Sequence, residues 1–336
     1  MKPILHPSLV NNPLGDPGLF VQFLFEKRAF LFDLGDASPL TNADLLKVTH
    51  VFVSHTHIDH FIGFDRFLRI VFGREKTITL YGPENFIANV EGKLAGFTWN
   101  LVDRYDESLT LEVVEVHRDR LRKATFRAIE KFQRNDERED PWNGGVILDE
   151  PALSVSAEIL EHRVPCLGFA LKEKFHVNIN KDGLTAMRLE PGEWLNRLKQ
   201  NIYEGASDDL AVQVPVGGVN GNQETQKIAL GTLKEKLVTI TPGQKIAYIT
   251  DTVYTPENIP RIVNLVREAD LLFCESPFTA EEEDRARDRC HLTTRQAGLL
   301  AKEAGVKQLK TFHYSKRHSH QTERLVQEAQ ETFRGE

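Results

Sequence analysis

Ser54-His55-Thr56-His57-Ile58-Asp59-His60 places three histidines and one carboxylate within six residues. No hydrophobic pattern calls for such a run. Neutral imidazole and carboxylate are ligands for borderline metals such as zinc. His55 and His57 alternate along an extended loop, so both can reach one metal from the same side. Asp59 and His60 come at the turn into a helix and can point to a second. The competing reading is a polar loop whose histidines cap a helix or face water.

The elements on either side must hold that loop. Val48 to Val53 is apolar and β-branched and reads as a buried strand; Phe61 to Phe72 carries apolar residues at helical spacing. The same arrangement recurs along the chain. Ala29 to Asp33 forms the second half of a hairpin with Phe20 to Glu26, and ends in Asp33-Leu34-Gly35-Asp36. Leu153 to Leu160 alternates cleanly and runs into His162. Lys245 to Thr250 ends at Asp251, and Gln308 to Phe312 at His313. Further strands are expected at Thr77–Tyr81, Leu109–Val116 and Leu271–Glu275. Helices are expected at Glu84–Leu94, Glu257–Ala269 and Gln321–Phe333. Thr293 or Thr294 can cap another, which carries Ala297, Leu300, Ala301 and Ala304 and follows His291. Packed sheets bring such strand ends to one rim, and helices between strands fit a layered sandwich.

The run H-x-H-x-D-H resembles the signature of the metallo-β-lactamase-fold hydrolases, and within them the ribonuclease Z branch. His162-x-x-Pro165-x-x-Gly168-Phe169 is similar to a later motif of that branch. The resemblance implies an α/β fold, the αββα four-layer sandwich. It implies two divalent metal ions held by His55, His57, Asp59, His60, His162, Asp251 and His313, with Asp251 shared and Asp33 orienting a histidine ligand. That donor set has nitrogen and oxygen but no Cys, so zinc is favoured, with manganese or iron as alternatives. Asp59 and His291 would be catalytic, in hydrolysis of the 3′ trailer of precursor tRNA by metal-bound hydroxide. Homodimers occur in that branch. Three segments depart from it. Asn11-Asn12-Pro13-Leu14-Gly15 stands where Gly-Thr-Gly-Ser is usual, and Asp33-Leu34-Gly35-Asp36 replaces Asp-x-Gly-Glu-Gly-Thr. Cys274-Glu275-Ser276-Pro277 stands for His-Glu-Ala-Thr, keeping the Glu but not the His.

The chain has 336 residues and a net charge of −7, unlike a general nucleic-acid coat protein. A local exception is Arg118 to Arg134, with seven basic and two acidic residues. Leu121, Thr125, Ala128, Ile129 and Phe132 suggest an amphipathic helix there, which then turns acidic at Asp136–Asp140. Arg118, Arg122, Lys123, Arg127 and Lys131 are candidate RNA-backbone contacts; a solvated surface is the alternative. The three cysteines, Cys166, Cys274 and Cys290, are widely spaced and suit a reducing cytoplasm. No apolar run is long enough for a membrane helix, and Met1 to Pro7 lacks a signal-peptide pattern.

One domain, 1–336, is expected, with a charged helical insertion around 118–145 and a variable insertion around 170–244. In the latter, Asp182-Gly183 suggests a turn and Pro191 to Leu195 the start of a helix. Val216 to Asn222 reads as a flexible loop without the lysine of a P-loop. The resemblance puts a tRNA-gripping arm in this region, with Pro191-Gly192 and Arg197-Leu198-Lys199 as its marks. Two rival functions remain. The same fold could act on a small phosphodiester, cyclic nucleotide, thioester or lactone, or it could be an inactive binding module.

Overall fold

Eight strands cross the first sheet in chain order: β1 (Leu5–Leu9), β2 (Leu19–Phe23), β3 (Ala29–Phe32), β4 (Val48–Phe52), β5 (Lys76–Pro83), β6 (Leu109–Val116), β7 (Arg120–Arg127) and β8 (Arg134–Pro141). The central strands β3 to β6 are parallel, and both flanks are antiparallel hairpins. Parallel neighbours need crossover connections. Here these contain helices α1 (Asn42–Lys47), α2 (Ile58–Phe61), α3 (Phe64–Val71) and α4 (Phe86–Ala95). Thr41 caps α1 by accepting from the Asp44 amide.

The computed structural model describes residues 5–24, 26–102, 108–216 and 224–336. It divides into two compact units. The first holds Met1–Ile147, Ser156–Ala170 and Lys245–Glu336; the second holds Leu148–Val155 and Leu171–Gln244. The second sheet contains β9 (Gly145–Asp149), β10 (Leu153–His162), β11 (Val164–Glu173), β16 (Lys245–Ile249), β17 (Leu271–Glu275) and β18 (Leu309–Phe312), in the order β18-β17-β16-β11-β10-β9. Helices α8 (Asn258–Val266), α9 (Glu283–Arg289), α10 (Thr294–Glu303) and α11 (Thr322–Arg334) accompany it.

In the first unit, side-chain alternation builds the layers. Val51 and Val53 pack with Phe64, Phe67 and Val90 on the helical side of the first sheet. On the other side Phe52 stacks on Phe32 at 4.9 Å and lies 5.7 Å from Phe169 of the second sheet. Tyr248 continues this aromatic layer, 6.0 Å from Phe32 and 5.2 Å from Phe312. Ile249, Leu272, Ile262, Leu300 and Ala329 form the helical side of the second sheet. The result is helices, sheet, sheet, helices. Removing a buried ring such as Phe52 would cost about 3–5 kcal/mol.

The second unit has its own core of Val177, Trp194, Leu198, Leu233 and neighbours. It contains β12 (Phe175–Ile179) paired with β15 (Val238–Pro242), and β13 (Ala211–Val216) paired with β14 (Glu224–Ala229). Helices α5 (Lys181–Ala186), α6 (Trp194–Tyr203) and α7 (Leu230–Leu237) complete it. Asp182-Gly183 therefore begins a helix and is not a turn. The Asn180 side chain accepts from both of their amides and caps α5. The expected loop at Val216–Asn222 falls mostly outside the described residues. Among the described residues no helix is long and apolar enough to cross a membrane.

The expected charged helix at 118–145 is a correction. The segment is the β7–β8 hairpin of the first sheet. The register shift against β8 places the extra residue in β8, and β7 pairs regularly with β6, so Leu121 and Ala124 lie on opposite faces of the sheet; both are buried, a spacing of three that imitates a helix. Ile129, assigned to the buried stripe of that helix, is 52% exposed.

Candidate metal centre

The parallel strands end at one rim, and the chemistry sits there. Asp33 follows β3, Ser54 to His60 follow β4, and His162 ends β10. Asp251 follows β16, Glu275 ends β17, and His313 follows β18. Asp33, Asp251 and His313 have φ of 58°, 44° and 59°, in the left-handed region. Each such residue costs of order 1–3 kcal/mol, a strain that clusters at functional sites. The loop after β4 is clamped by backbone bonds: Leu34 N–H donates to the His60 carbonyl at 2.9 Å, and Gly63 N–H to the Leu34 carbonyl at 2.9 Å. Gly35 permits this approach, since a Cβ there would lie 2.6 Å from the Asp59 carbonyl oxygen.

Asp33 is buried and accepts four hydrogen bonds. They come from the Ser54 amide at 2.7 Å, and from Ser54 Oγ, His60 Nδ1 and the Tyr248 hydroxyl at 2.9 Å each. It fixes the His60 ring with Nε2 facing the rim. That nitrogen is buried and makes no hydrogen bond. The Asp251 and Asp59 carboxylates lie 3.4 and 3.6 Å from it.

Two sets of donor atoms meet at Asp251. One comprises His55, His57, His162 and Asp251. His55 Nε2 and His57 Nδ1 are 2.8 Å apart, and Asp251 Oδ2 lies 3.6 Å from His55 Nε2 and 3.3 Å from His162 Nε2. His162 is oriented by its Nδ1, which donates to the Cys290 carbonyl at 2.7 Å. On the other side are two overlapping groups, Asp59, His60 and His313, and Asp251, Glu275, His291 and His313. His313 Nδ1 lies 2.9 Å from Asp251 Oδ1, and its Nε2 3.5 Å from Asp59 Oδ2.

These residues fit divalent cations. Tetrahedral zinc with bonds of about 2.1 Å sets its donors about 3.4 Å apart, close to the separations around Asp251 Oδ2. The orphaned His60 Nε2 is a buried ring nitrogen without a hydrogen-bond partner, and the site's ligating atoms are nitrogen and oxygen. Cys166 is buried beside His55, and its burial and then the Asp251 charge push the thiol well above its ordinary range.

The electrostatics agree. Burial opposes a charged His60, but Asp251 and Asp33 outweigh it and raise its pKa to about 10. Burial also opposes a charged His313, and Asp251 lifts it well above the imidazole range. His55 is pushed down to about 2 by burial and then by His60, which outweigh the support of Asp251. Burial and then His162 lower His57. Burial would raise Asp251 and Asp59, yet the neighbouring imidazoles hold both carboxyls well below their usual range. The negative potential that retains protons here would equally attract a cation.

The structure thus brings His55, His57, Asp59, His60, His162, Asp251, His313, Asp33 and His291 together. Glu275 was noted in the sequence as a retained acid but given no role. It is fully buried, accepts from the Thr252 amide at 2.9 Å, and lies 2.7 Å from His291 Nδ1. Its signal was an acid closing the apolar strand Leu271–Glu275. Tyr248 was also missed; a tyrosine inside a buried strand needs a partner, and here that is Asp33. Of the five candidate RNA contacts, Arg122, Lys123 and Arg127 face acids of their own hairpin or its neighbour. Lys131 is exposed in the turn after β7. Arg118 lines a cavity together with His162.

Residues 211–314 match the Beta-lactamase superfamily domain. Ribonuclease Z of Deinococcus radiodurans is 29% identical, over 94% of this chain and 91% of that protein. Ribonuclease BN of Proteus mirabilis is 27% identical, over 92% and 86%. The crystal structure of human tRNase Z, short form, superposes with a TM-score of 0.52 at 17% identity, covering 93% of each chain. The metallo-β-lactamase fold protein YhfI from Bacillus subtilis superposes with a TM-score of 0.54 at 17% identity, covering 98% of this chain and 94% of that one. Sharing its fold with both structures and aligning with ribonucleases Z and BN over more than nine-tenths of its length, the chain has the metallo-β-lactamase fold and is similar in sequence to ribonucleases Z and BN.

Proposed function

We propose that the chain is an endoribonuclease of the ribonuclease Z type, cutting the 3′ trailer from precursor tRNA in the cytoplasm. Two divalent cations, zinc favoured, would be held by His55, His57, His162 and Asp251 on one side and by Asp59, His60, His313 and Asp251 on the other. One observation carries the reading. Asp251 Oδ2 lies within 3.6 Å of Nε2 of His55, His60 and His162, while Oδ1 faces His313. A carboxylate so placed serves both donor sets at once.

Divalent ions bound there supply Lewis acidity and lower the pKa of water to about 7. The protein's own groups supply position and proton transfer. Asp33 keeps the His60 Nδ1 proton engaged and its Nε2 directed at the rim. The Cys290 carbonyl does the same for His162. Asp59, with 39% of its side chain exposed, can accept a proton from the attacking water. His291 is raised above its ordinary pKa: burial opposes its charge, but Glu275 outweighs that. It can therefore hold a proton near neutrality and pass it from Nε2 to the leaving oxygen. General acid catalysis of this kind contributes roughly 10²–10⁴-fold.

The test is cleavage of a precursor tRNA bearing a 3′ trailer by zinc- or manganese-loaded protein, with His57→Ala as control. Cleavage at the trailer junction that the variant loses supports the reading. Hydrolysis of a small phosphodiester without any tRNA cleavage would move the function to a small substrate.

A further inference from the structure

A cavity of about 400 Å³ opens beside His162. Its walls come from the β6–β7 turn, through His117 and Arg118, and from the start of β11, through Val164 and Pro165. Three arginines line it, and two are engaged. Arg163 donates to the Asp288 carbonyl. Arg261 donates to the Ile159 carbonyl at 3.1 Å and faces Glu158. Arg118 is exposed and makes no hydrogen bond or ion pair among the described residues.

His117 beside it is held from behind. Its Nε2 lies 3.0 Å from Glu115 Oε2, and Glu115 is 2% exposed and also accepts from the Ile87 amide at 2.9 Å. Among the described residues the other ring nitrogen carries no side-chain hydrogen bond. So the cavity presents one uncommitted guanidinium, one oriented imidazole, an apolar wall and two carboxylates, Glu84 and Glu161, next to a histidine of the metal centre.

We propose that this cavity receives a single nucleotide flanking the scissile phosphate, with Arg118 on its phosphate and His117 against its base. The inference rests on the phosphodiesterase reading above. If the scissile phosphate sits at the donor atoms of His162 and Asp251, the cavity beside His162 must be filled by what adjoins it along the strand. Its size falls in the roughly 300–1,000 Å³ range of small-ligand sites. Unstacked bases are read by rings such as histidine and by guanidinium planes, and arginine matches phosphate geometry. Fixing the imidazole through buried Glu115 lowers the entropy lost on contact.

The test compares metal-loaded wild type with Arg118→Gln and His117→Ala on two substrates. One is a trailer-bearing RNA; the other is bis(4-nitrophenyl) phosphate, which has no flanking nucleotide. The ratio of kcat/KM on RNA to that on the small diester should fall about tenfold or more in Arg118→Gln, as expected for loss of a charge-assisted hydrogen bond. His117→Ala should lower activity on intact RNA, and lower it no further on RNA made abasic at the flanking position. An unchanged ratio, or equal losses with and without the base, overturns the pocket. If wild type hydrolyses neither substrate, the phosphodiesterase reading itself fails. Equilibrium binding then decides the pocket separately. A nucleoside 5′-monophosphate should bind wild type more tightly than inorganic phosphate does and should weaken in Arg118→Gln; equal binding by both proteins overturns it.

Discussion

Two stretches of this chain concentrate ionisable side chains: the loop Ser54–His60 after β4 and the hairpin Arg120–Pro141. In the hairpin most cations face an acid nearby. Lys123 lies 2.6 Å from Asp140, Arg122 3.2 Å from Glu139, and Arg127 pairs with Glu130 and Asp136. In the loop, imidazole nitrogens face one another, His60 Nε2 has no hydrogen bond, and the nearest carboxylates come from distant strands. A dense run of charged or ligating residues is therefore not a site by itself. What distinguishes the loop is that its groups, His55 and His60 buried among them, converge on a position that none of them fills.

The contrast breaks most completely at Asp251, which both donor sets share. Asp251→Ala should abolish hydrolysis and strip metal from both sets. Losing the shift in water acidity from 15.7 to about 7 removes the nucleophile at neutral pH. Metal analysis by mass spectrometry checks this, and His57→Ala sharpens it by emptying one set while the other keeps its ion. If the Asp251 variant retained full metal content, the convergence would be incidental.

Asp33 tests whether the demand extends behind the ligands. Asp33→Asn keeps the shape but sets an amide N–H₂ among four donors. Partners that orient metal ligands are worth about 10–100-fold in metal affinity or activity when mutated. A chelator competition titration reads this loss. An unchanged affinity would mean that the His60 orientation is fixed by packing alone.

The same contrast separates His50 in β4 from His55 just after it. His55 is buried and His50 half-buried, and His50 packs as an aromatic ring, stacked between Phe52 at 6.3 Å and Tyr81 at 6.4 Å, with Nδ1 3.0 Å from Thr49 Oγ1. Burial and then the Arg28 charge lower its pKa from 6.5 to about 4. The unfolded chain thus binds a proton between pH 6.5 and 4 that the folded chain refuses. Stability falls as pH drops through that window, by about 2 kcal/mol at pH 5. His50→Phe should flatten this part of the denaturant-midpoint profile. An identical pH slope in the variant would show that other groups carry the acid sensitivity.

These particulars also explain what could be read from the chain. Strands ending in His or Asp were visible because a buried parallel strand is a short apolar run, and a ligating residue after it stands out. Glu275 was not visible as a site residue because its role depends on His291 and His313, which lie 16 and 38 residues further on. The hairpin was misread because a strand with buried residues on both faces can place apolar residues three apart, as Leu121 and Ala124 are, and left-handed residues at Lys131, Phe132 and Asp136 break its alternation. The capped start of α10 was legible because a capping box is local; Thr293 is the cap and Gln296 its partner.

The smallest expected effect lies in the hairpin, and it tests the comparison from the other side. Lys123→Gln and Arg127→Gln each remove one cation from exposed pairs. Such pairs contribute little, so the melting temperature should shift by no more than about 2 °C. If these cations serve only their acidic partners, KM for the trailer-bearing RNA should stay within about twofold, and the salt dependence of RNA binding should be unchanged. Each lost contact to a single-stranded phosphate would instead reduce the log–log salt slope by about 0.7. A reduced slope with a raised KM would show that RNA displaces Asp140 or Asp136 from these side chains. The hairpin would then be a second substrate surface whose acids act as stand-ins for phosphate, and local satisfaction would no longer separate the two stretches.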